Sequence, residues 1–396
     1  LSLHDALPIS SLDVIARGNE KVLRARLSDA KFFYEEDQKL AIKDALSKLE
    51  SIVFHEELGT IGDKVRRIRR NTEKLSTMLG TDTGTAEAAA RTAEICKFDL
   101  VTQMVYEFPE LQGVMGEDYA RKAGEPEAVA RGVFEHYQPR FADDAVPASS
   151  VGSIVSIADK IDTIAGCFSI GIIPTGSQDP YGLRRQAAGI VQIIVEHQLA
   201  VSLTDIFKLA LETHQQFRGL KRSEEEILKD LMEFFGLRVR KTLSDENLRY
   251  DVVDAVLSAG YDDVVSSVAR GKALMEAVGA KEDFKSTVES FGRVSNLAAK
   301  ATGEKVRSDL LNEPAEQALY EAWRSVSDKY RNTLASRDAA GALELIGGLK
   351  EAITVFFDAV MVMAEEDAIR TNRLALLAAI DEDLKAFADF GKLVWA

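Results

Sequence analysis
Apolar residues recur every three to four positions along most of this chain, so the pattern predicts helix nearly throughout. Leu23, Leu27, Ala30 and Phe33–Tyr34 form one apolar stripe. HEELGTIGDKVRRI predicts a helix on which Val65 and Ile68 share a face with Ile61. Residues 80–84 form a loop, and Gly84 or Thr85 caps a long helix through AEAAARTAEICKFDLVTQMVYEF. Pro109 ends that stretch, and Pro126, at a first helical position, opens EPEAVARGVFEHY. FADDAVPASS is a loop. VGSIVSIADKIDTIAGCF is apolar on every side except at Asp159, Lys160 and Asp162, which predicts a helix buried all round. PTGSQDPYGLRR predicts a turn and then a helix, with Asp179 as N-cap and Pro180 as first helical residue. Amphipathic helices with short loops follow to the end, where Phe356, Val360 and Met363 share a helical face that reads as core. No repeat period stands out, which excludes a solenoid.

The first ten residues, LSLHDALPIS, break this pattern: they lack periodicity, and Pro8 would interrupt a helix. They also lack a signal peptide's basic start and cleavage site. The expectation is a foreign scar at residues 1–10 on a protein that continues upstream. His4–Asp5 is therefore not read as a metal-binding dipeptide.

A length of 396 residues allows two or three domains, and 46% hydrophobic residues allow a sizeable core. The apolar runs are too short and too charged to span a membrane. Only Cys96 and Cys167 occur, both in apolar stretches. They read as buried thiols of a protein in a reducing, cytoplasmic compartment. A net charge of −15 argues against an unpatterned nucleic-acid binder without excluding one, so what matters is whether the basic residues cluster. Lys64, Arg66, Arg67, Arg69, Arg70 and Lys74 form one cluster, and Arg17, Lys21, Arg24 and Arg26 another. Each reads first as a solvated helix face.

Candidate chemistry concentrates between Gly113 and Arg185. EHYQPRF followed by SIVSIADKIDTI resembles the second half of a histidine–aspartate (HD) phosphohydrolase domain, an all-helical fold with metal ligands on several helices. That resemblance assigns His136 and Asp159 to ligand positions, and His55 to the early histidine. The family's His-Asp dipeptide falls at Phe98–Asp99, so only Asp99 survives of it, with Lys97 alongside. A two-metal hydrolase needs several imidazole or carboxylate ligands, and a missing histidine with an added cation opposes metal binding. The expectation is a structural role for Asp99, His136 and Asp159, with no catalytic residue and no metal. A metal-dependent phosphohydrolase acting on nucleotides or RNA is the alternative. No GxSxG, P-loop, GxGxxG, CxxC or HExxH pattern is present. Arg184 and Arg185 open a helix whose free N–H groups suit an anion such as RNA phosphate. Arg293, Asn296, Asn372 and Arg373 are polar groups at helix edges, able to hydrogen-bond or stack on exposed bases.

The long words GNEKVLRARLSDAKFFYEED, CKFDLVTQMVYEFPELQGVMGEDYA, PTGSQDPYGLRRQA, RVSNLAAK and FFDAVMVMAEEDAIRTNRLALL occur in one order. In that order they resemble the beta subunit of the bacterial heterotetrameric glycyl-tRNA synthetase, from about Ile15 to near the C-terminus. The resemblance implies a mostly α fold: a degenerate HD-type helical domain, a helical connector and an anticodon-binding, DALR-like helical bundle. The divisions it suggests are 11–50 for the end of a preceding domain, 51–173 for the HD-like domain, 174–245 for the connector and 246–396 for the bundle. It implies a tRNA-recognition subunit of glycine–tRNA ligase that binds tRNA(Gly) and pairs with an alpha subunit in an α2β2 tetramer. ATP and Mg2+ would be used by the alpha subunit, with no cofactor on this chain. Arg184, Arg185, Arg293, Asn296, Asn372 and Arg373 become candidate tRNA contacts. Two positions depart from the family: His55 stands where glutamine is more usual, and Gly292 where lysine is usual. A non-catalytic scaffold for a partner subunit is the remaining alternative.

Overall fold
A computed structural model describes residues 12–280 and 282–395, so the expectation for residues 1–10 lies outside the described residues. The described chain is helical apart from one short hairpin. It divides into two compact units, one of residues 12–185 with Leu209–Arg222, the other of Gln186–Lys208 with residues 223–395.

The first unit runs α1 (Leu12–Asp37), α2 (Ile42–Leu49), β1 (Val53–His55), β2 (Gly59–Thr60), α3 (Ile61–Met78), α4 (Thr83–Ile95), α5 (Gln103–Glu107), α6 (Val114–Lys122), α7 (Glu127–Glu135) and α8 (Ser150–Ser169). Helices α9 (Leu183–Glu196) and α10 (Leu203–Phe217) each contribute to both units. Helix α8 is the axis of the first unit, packing against α3, α4 and α7. Every residue from Val151 to Ser169 is buried, as its all-round apolar pattern predicts. Ile154, Val155, Ile157, Ile161, Ile164 and Phe168 each contribute roughly 1.5–3 kcal/mol by leaving water. Burial of Cys96 and Cys167 also matches expectation.

Several boundaries differ from the sequence reading, each for a local reason. HEELGT forms the β1–β2 hairpin, and α3 starts only at Ile61, where Thr60 and Asp63 cap each other reciprocally. Asp82, rather than Gly84 or Thr85, caps α4 by accepting from Thr85 N. The long helix expected through residues 86–108 breaks after Ile95. Its second part restarts as α5, whose open N–H groups at Gln103 and Met104 donate to buried Asp37 at 2.8 and 2.9 Å. The α1 stripe divides: Ala30, Phe33 and Tyr34 pack against the core, whereas Leu23 and Leu27 are exposed.

The second unit continues with α11 (Glu224–Asp245), α12 (Tyr250–Ser258), α13 (Val264–Ala280), α14 (Glu282–Ala298), α15 (Pro314–Ala335), α16 (Ala339–Gly347), α17 (Lys350–Ala359) and α18 (Asp367–Phe387). Its core gathers Phe291, Leu319, Tyr330, Phe356, Ile380 and Phe387 where α14 meets α18 and α15 meets α16 and α17. The helix expected through Met363 stops at Ala359. Beyond it Val360 and Val362 are buried while Met361 and Met363 are exposed. The chain leaves the helix at Val360 and bends at Val362 and Met363, which corrects the placement of Met363 in the core.

Candidate functional site
Helix periodicity sets the first unit's polar centre. Lys64 and Arg67 lie three residues apart on α3, and Asp159 and Asp162 three apart on α8, so each pair shares a face. Lys64 Nζ lies 2.8 Å from Asp159 Oδ1 and 3.2 Å from Asp162 Oδ2, and donates to Thr163 Oγ1 at 2.7 Å. Arg67 donates to Asp162 through Nε at 2.7 Å and Nη2 at 3.2 Å, and to Leu58 O through Nη1 at 2.9 Å. His214 Nε2 lies 3.1 Å from Asp162 Oδ1. Two members of the basic cluster read as a solvated face therefore point inward, with Arg67 only 1% exposed. Arg66, Arg69 and Arg70 are the exposed members, with Arg66 paired to Glu50 and Asp63 and Arg69 to Glu73.

Lys97 completes the cluster. Its Nζ lies 2.6 Å from Asp159 Oδ2, 2.9 Å from His136 Nε2 and 4.1 Å from the centre of the Tyr137 ring. His136 Nδ1 lies 2.6 Å from Val133 O. The network therefore assigns the imidazole proton to Nδ1 and leaves Nε2 to accept from Lys97. Burial, and then the Lys97 charge, hold His136 well below its ordinary pKa. Burial alone would raise Asp159 and Asp162. Lys64 and Lys97 outweigh it at Asp159, and Arg67 and Lys64 at Asp162, so both carboxyls stay ionised.

Ammonium groups thus sit among the carboxylates and the imidazole where a metallohydrolase would hold its ions. Both oxygens of Asp159 and the free lone pair of His136 are engaged by them. Asp99 does not join the cluster: its Oδ2 accepts from Gly113 N at 2.6 Å, and burial pushes its pKa up to about 6. That contact requires glycine at residue 113, where φ is 83° and a Cβ would fall 2.8 Å from the Tyr137 ring. Among the described residues, no three His, Cys, Asp or Glu side chains are grouped to hold a metal ion. His55, on β1, accepts from Glu57 N through Nδ1 instead. Lys160 ties the turn after α7 to α8, donating to Gln138 O at 2.8 Å and Ser156 Oγ at 2.7 Å, and burial pulls its pKa down to about 7. The Cys96 and Cys167 thiols are pushed up to about 12 by burial, which leaves no thiolate nucleophile. Chemically the cluster is a charge-compensated brace.

The candidate RNA contacts separate by exposure. Arg185 is exposed and Arg184 partly buried in the first turn of α9. Asp179 accepts from Leu183 N at 2.7 Å and from Arg184 N at 3.0 Å, so two N–H groups expected to meet a phosphate already have a partner. Pro180 lies in the turn before the helix. Arg293 and Asn296 are exposed on α14, with the Arg293 guanidinium 4.4 Å above the Phe357 ring and 4.0 Å from Asp358.

Asn372 and Arg373 are corrected. They are 3% and 7% exposed, so neither can reach a base. Asn372 accepts from Arg307 N at 2.7 Å and donates to Arg307 O at 2.9 Å, which satisfies its amide internally. Arg373 pairs with the fully buried Glu316 and donates to Met361 O at 2.8 Å. Met361 and Met363, of which sequence reasoning placed Met363 in the core, are 78% and 47% exposed.

A family profile described as "Glycyl-tRNA synthetase beta subunit" matches residues 7–258, and one described as "DALR anticodon binding domain" matches residues 287–389. The chain is 49% identical over 385 residues to the glycine–tRNA ligase beta subunit of Halalkalibacterium halodurans, covering 97% of this chain and 55% of that protein. It is 44% identical over 384 residues to the Bacillus subtilis beta subunit, covering 97% and 54%. The Desulforamulus reducens beta subunit is 44% identical over 383 residues, covering 97% and 55%. The chain spans about half the length of the curated relatives it matches.

Proposed function
Because the chain belongs to the glycyl-tRNA synthetase beta-subunit family, we propose that it is a tRNA-recognising portion of the non-catalytic subunit of a glycine–tRNA ligase. In this reading it supports ATP-dependent charging of tRNA(Gly) by an alpha subunit, within an α2β2 assembly in the cytoplasm. ATP, glycine and Mg2+ are used on the alpha subunit, and this chain holds no cofactor. The working division stays an HD-like domain at 51–173, a connector at 174–245 and a bundle at 246–396. No helix among the described residues is long and apolar enough to cross a membrane.

The observation that carries the reading is the anticodon-binding match over residues 287–389, whose bundle exposes Arg293 and Asn296. The buried cluster supports the same division of labour, since Lys97 occupies the reach of His136 and Asp159. The metal-hydrolase alternative finds no support in that geometry. Backbone contacts fall to Arg184, Arg185 and the exposed Arg17, Lys21, Arg24 and Arg26 of α1, and base contacts to the bundle.

Filter binding of tRNA(Gly) to the 396-residue chain over a salt series tests this. The logarithm of the binding constant is expected to fall linearly with the logarithm of salt, with slope roughly −4 to −5 if all six of these cations meet a phosphate. Binding that is absent, or indifferent to salt, would favour the scaffold reading.

A further inference from the structure
We propose that the Lys97 ammonium is a built-in replacement for a metal ion: it fills a cation site formed by His136 Nε2 and Asp159 Oδ2, and a divalent metal takes that site once residue 97 becomes a ligand. What the first unit requires at this point is a positive charge, independently of any RNA contact.

His136 is oriented as a metal ligand is. Its Nδ1–H is held by Val133 O at 2.6 Å, which leaves the Nε2 lone pair on the Asp159 side. A backbone carbonyl behind the imidazole is the usual support of a metal-bound histidine. Nε2 lies 3.9 Å from Asp159 Oδ2. Two ligands of a tetrahedral zinc ion stand roughly 3.4 Å apart, so about half an ångström of closure brings both onto one ion. Lys97 Nζ now stands against both, 2.9 Å from the imidazole and 2.6 Å from the carboxylate. Lys64 answers the other Asp159 oxygen at 2.8 Å. Lys97, His136 and Asp159 are all buried, so water does not stand in for the charge.

Lys97 enters the cluster from the turn after α4, one residue before the expected dipeptide position. Phe98 is buried in the apolar core, and Asp99 turns to Gly113. Residue 97 is therefore the third donor position, and neither Phe98 nor Asp99 is. One imidazole and one carboxylate with an ammonium between them are too few ligands for a metal. Histidine Nε2 reaches about 2 Å less far from its Cα than lysine Nζ, which is the length of one metal–nitrogen bond. Lys97→His therefore leaves room for an ion where Nζ stands, and completes a set of two imidazoles and one carboxylate that suits zinc or cobalt(II).

The test is titration of the full 396-residue chain with zinc and with cobalt(II), as parent, Lys97→His, Lys97→His/His136→Ala and Lys97→Met. Lys97→His is expected to bind one ion per chain, at least about tenfold more tightly than the parent, with visible cobalt d–d bands. Adding His136→Ala should abolish both. Urea unfolding followed by circular dichroism reads the need for charge. Lys97→Met and metal-free Lys97→His should unfold at lower urea than the parent, and zinc should restore the midpoint of Lys97→His alone. Zinc uptake by the parent with equal affinity overturns the proposal, as does no uptake by a folded Lys97→His chain. Lys97→Met unfolding together with the parent overturns it too, as does a Lys97→His chain that stays unfolded in zinc.

Discussion

Replacing Asp162 with alanine is expected to destabilise the first unit by about 3–5 kcal/mol, the usual cost of stranding a buried charge. Asp162 is fully buried, and its carboxylate answers Arg67, Lys64 and His214 together. Without it, Arg67 keeps only the Leu58 carbonyl as a partner for a guanidinium that is 1% exposed. Cys96 and Cys167 are buried in this unit, so thiol trapping across a urea series reports its opening. A midpoint shift worth less than about 1 kcal/mol would show that the cluster bears little load. Acid should act in the same direction. Asp162 is held well below its ordinary 3.8, so the unfolded chain takes up protons first as pH falls. The stabilisation is complete above about 3.8 and is lost as pH drops below it. Asp162→Ala should therefore weaken this acid sensitivity.

The second large effect is expected at Arg373. Arg373→Ala leaves the carboxylate of Glu316 buried without its cation, and should cost the bundle about 3 kcal/mol. Glu316 Oε2 still accepts from Asn312 N at 2.8 Å and Glu313 N at 3.2 Å, which keeps the loss at the lower end for a broken buried pair. The Met361 carbonyl loses its donor in the same variant. Both tryptophans, Trp323 and Trp395, lie in the second unit, so their fluorescence in urea follows this change. An unshifted fluorescence midpoint would contradict it.

Local pattern gave away the helices and the all-round burial of α8, because 3.6-residue periodicity is written in neighbouring residues. Asp99, His136, Asp159 and Lys97 were legible as one question, since the missing dipeptide histidine and the added lysine are adjacent in the chain. Inward-facing Lys64 and Arg67 were not. Within KVRRIRR they look like any solvated basic face, and only Asp162 on a distant helix makes their burial tolerable. Asn372 and Arg373 misled for the same reason: Arg307 and Glu316, which satisfy them, lie more than fifty residues away in sequence. The end of α17 at Ala359 was not legible, because helical spacing through Phe356, Val360 and Met363 runs on past it.

Recognition, with bond-making left to another subunit, is the central claim, and a specificity ratio tests it more directly than an affinity. The measurement is competition at near-physiological salt between tRNA(Gly) and a non-cognate tRNA of equal length for the 396-residue chain. The account predicts preference for tRNA(Gly) of about tenfold or more, from one or two base contacts. Equal affinity for the two RNAs would contradict it.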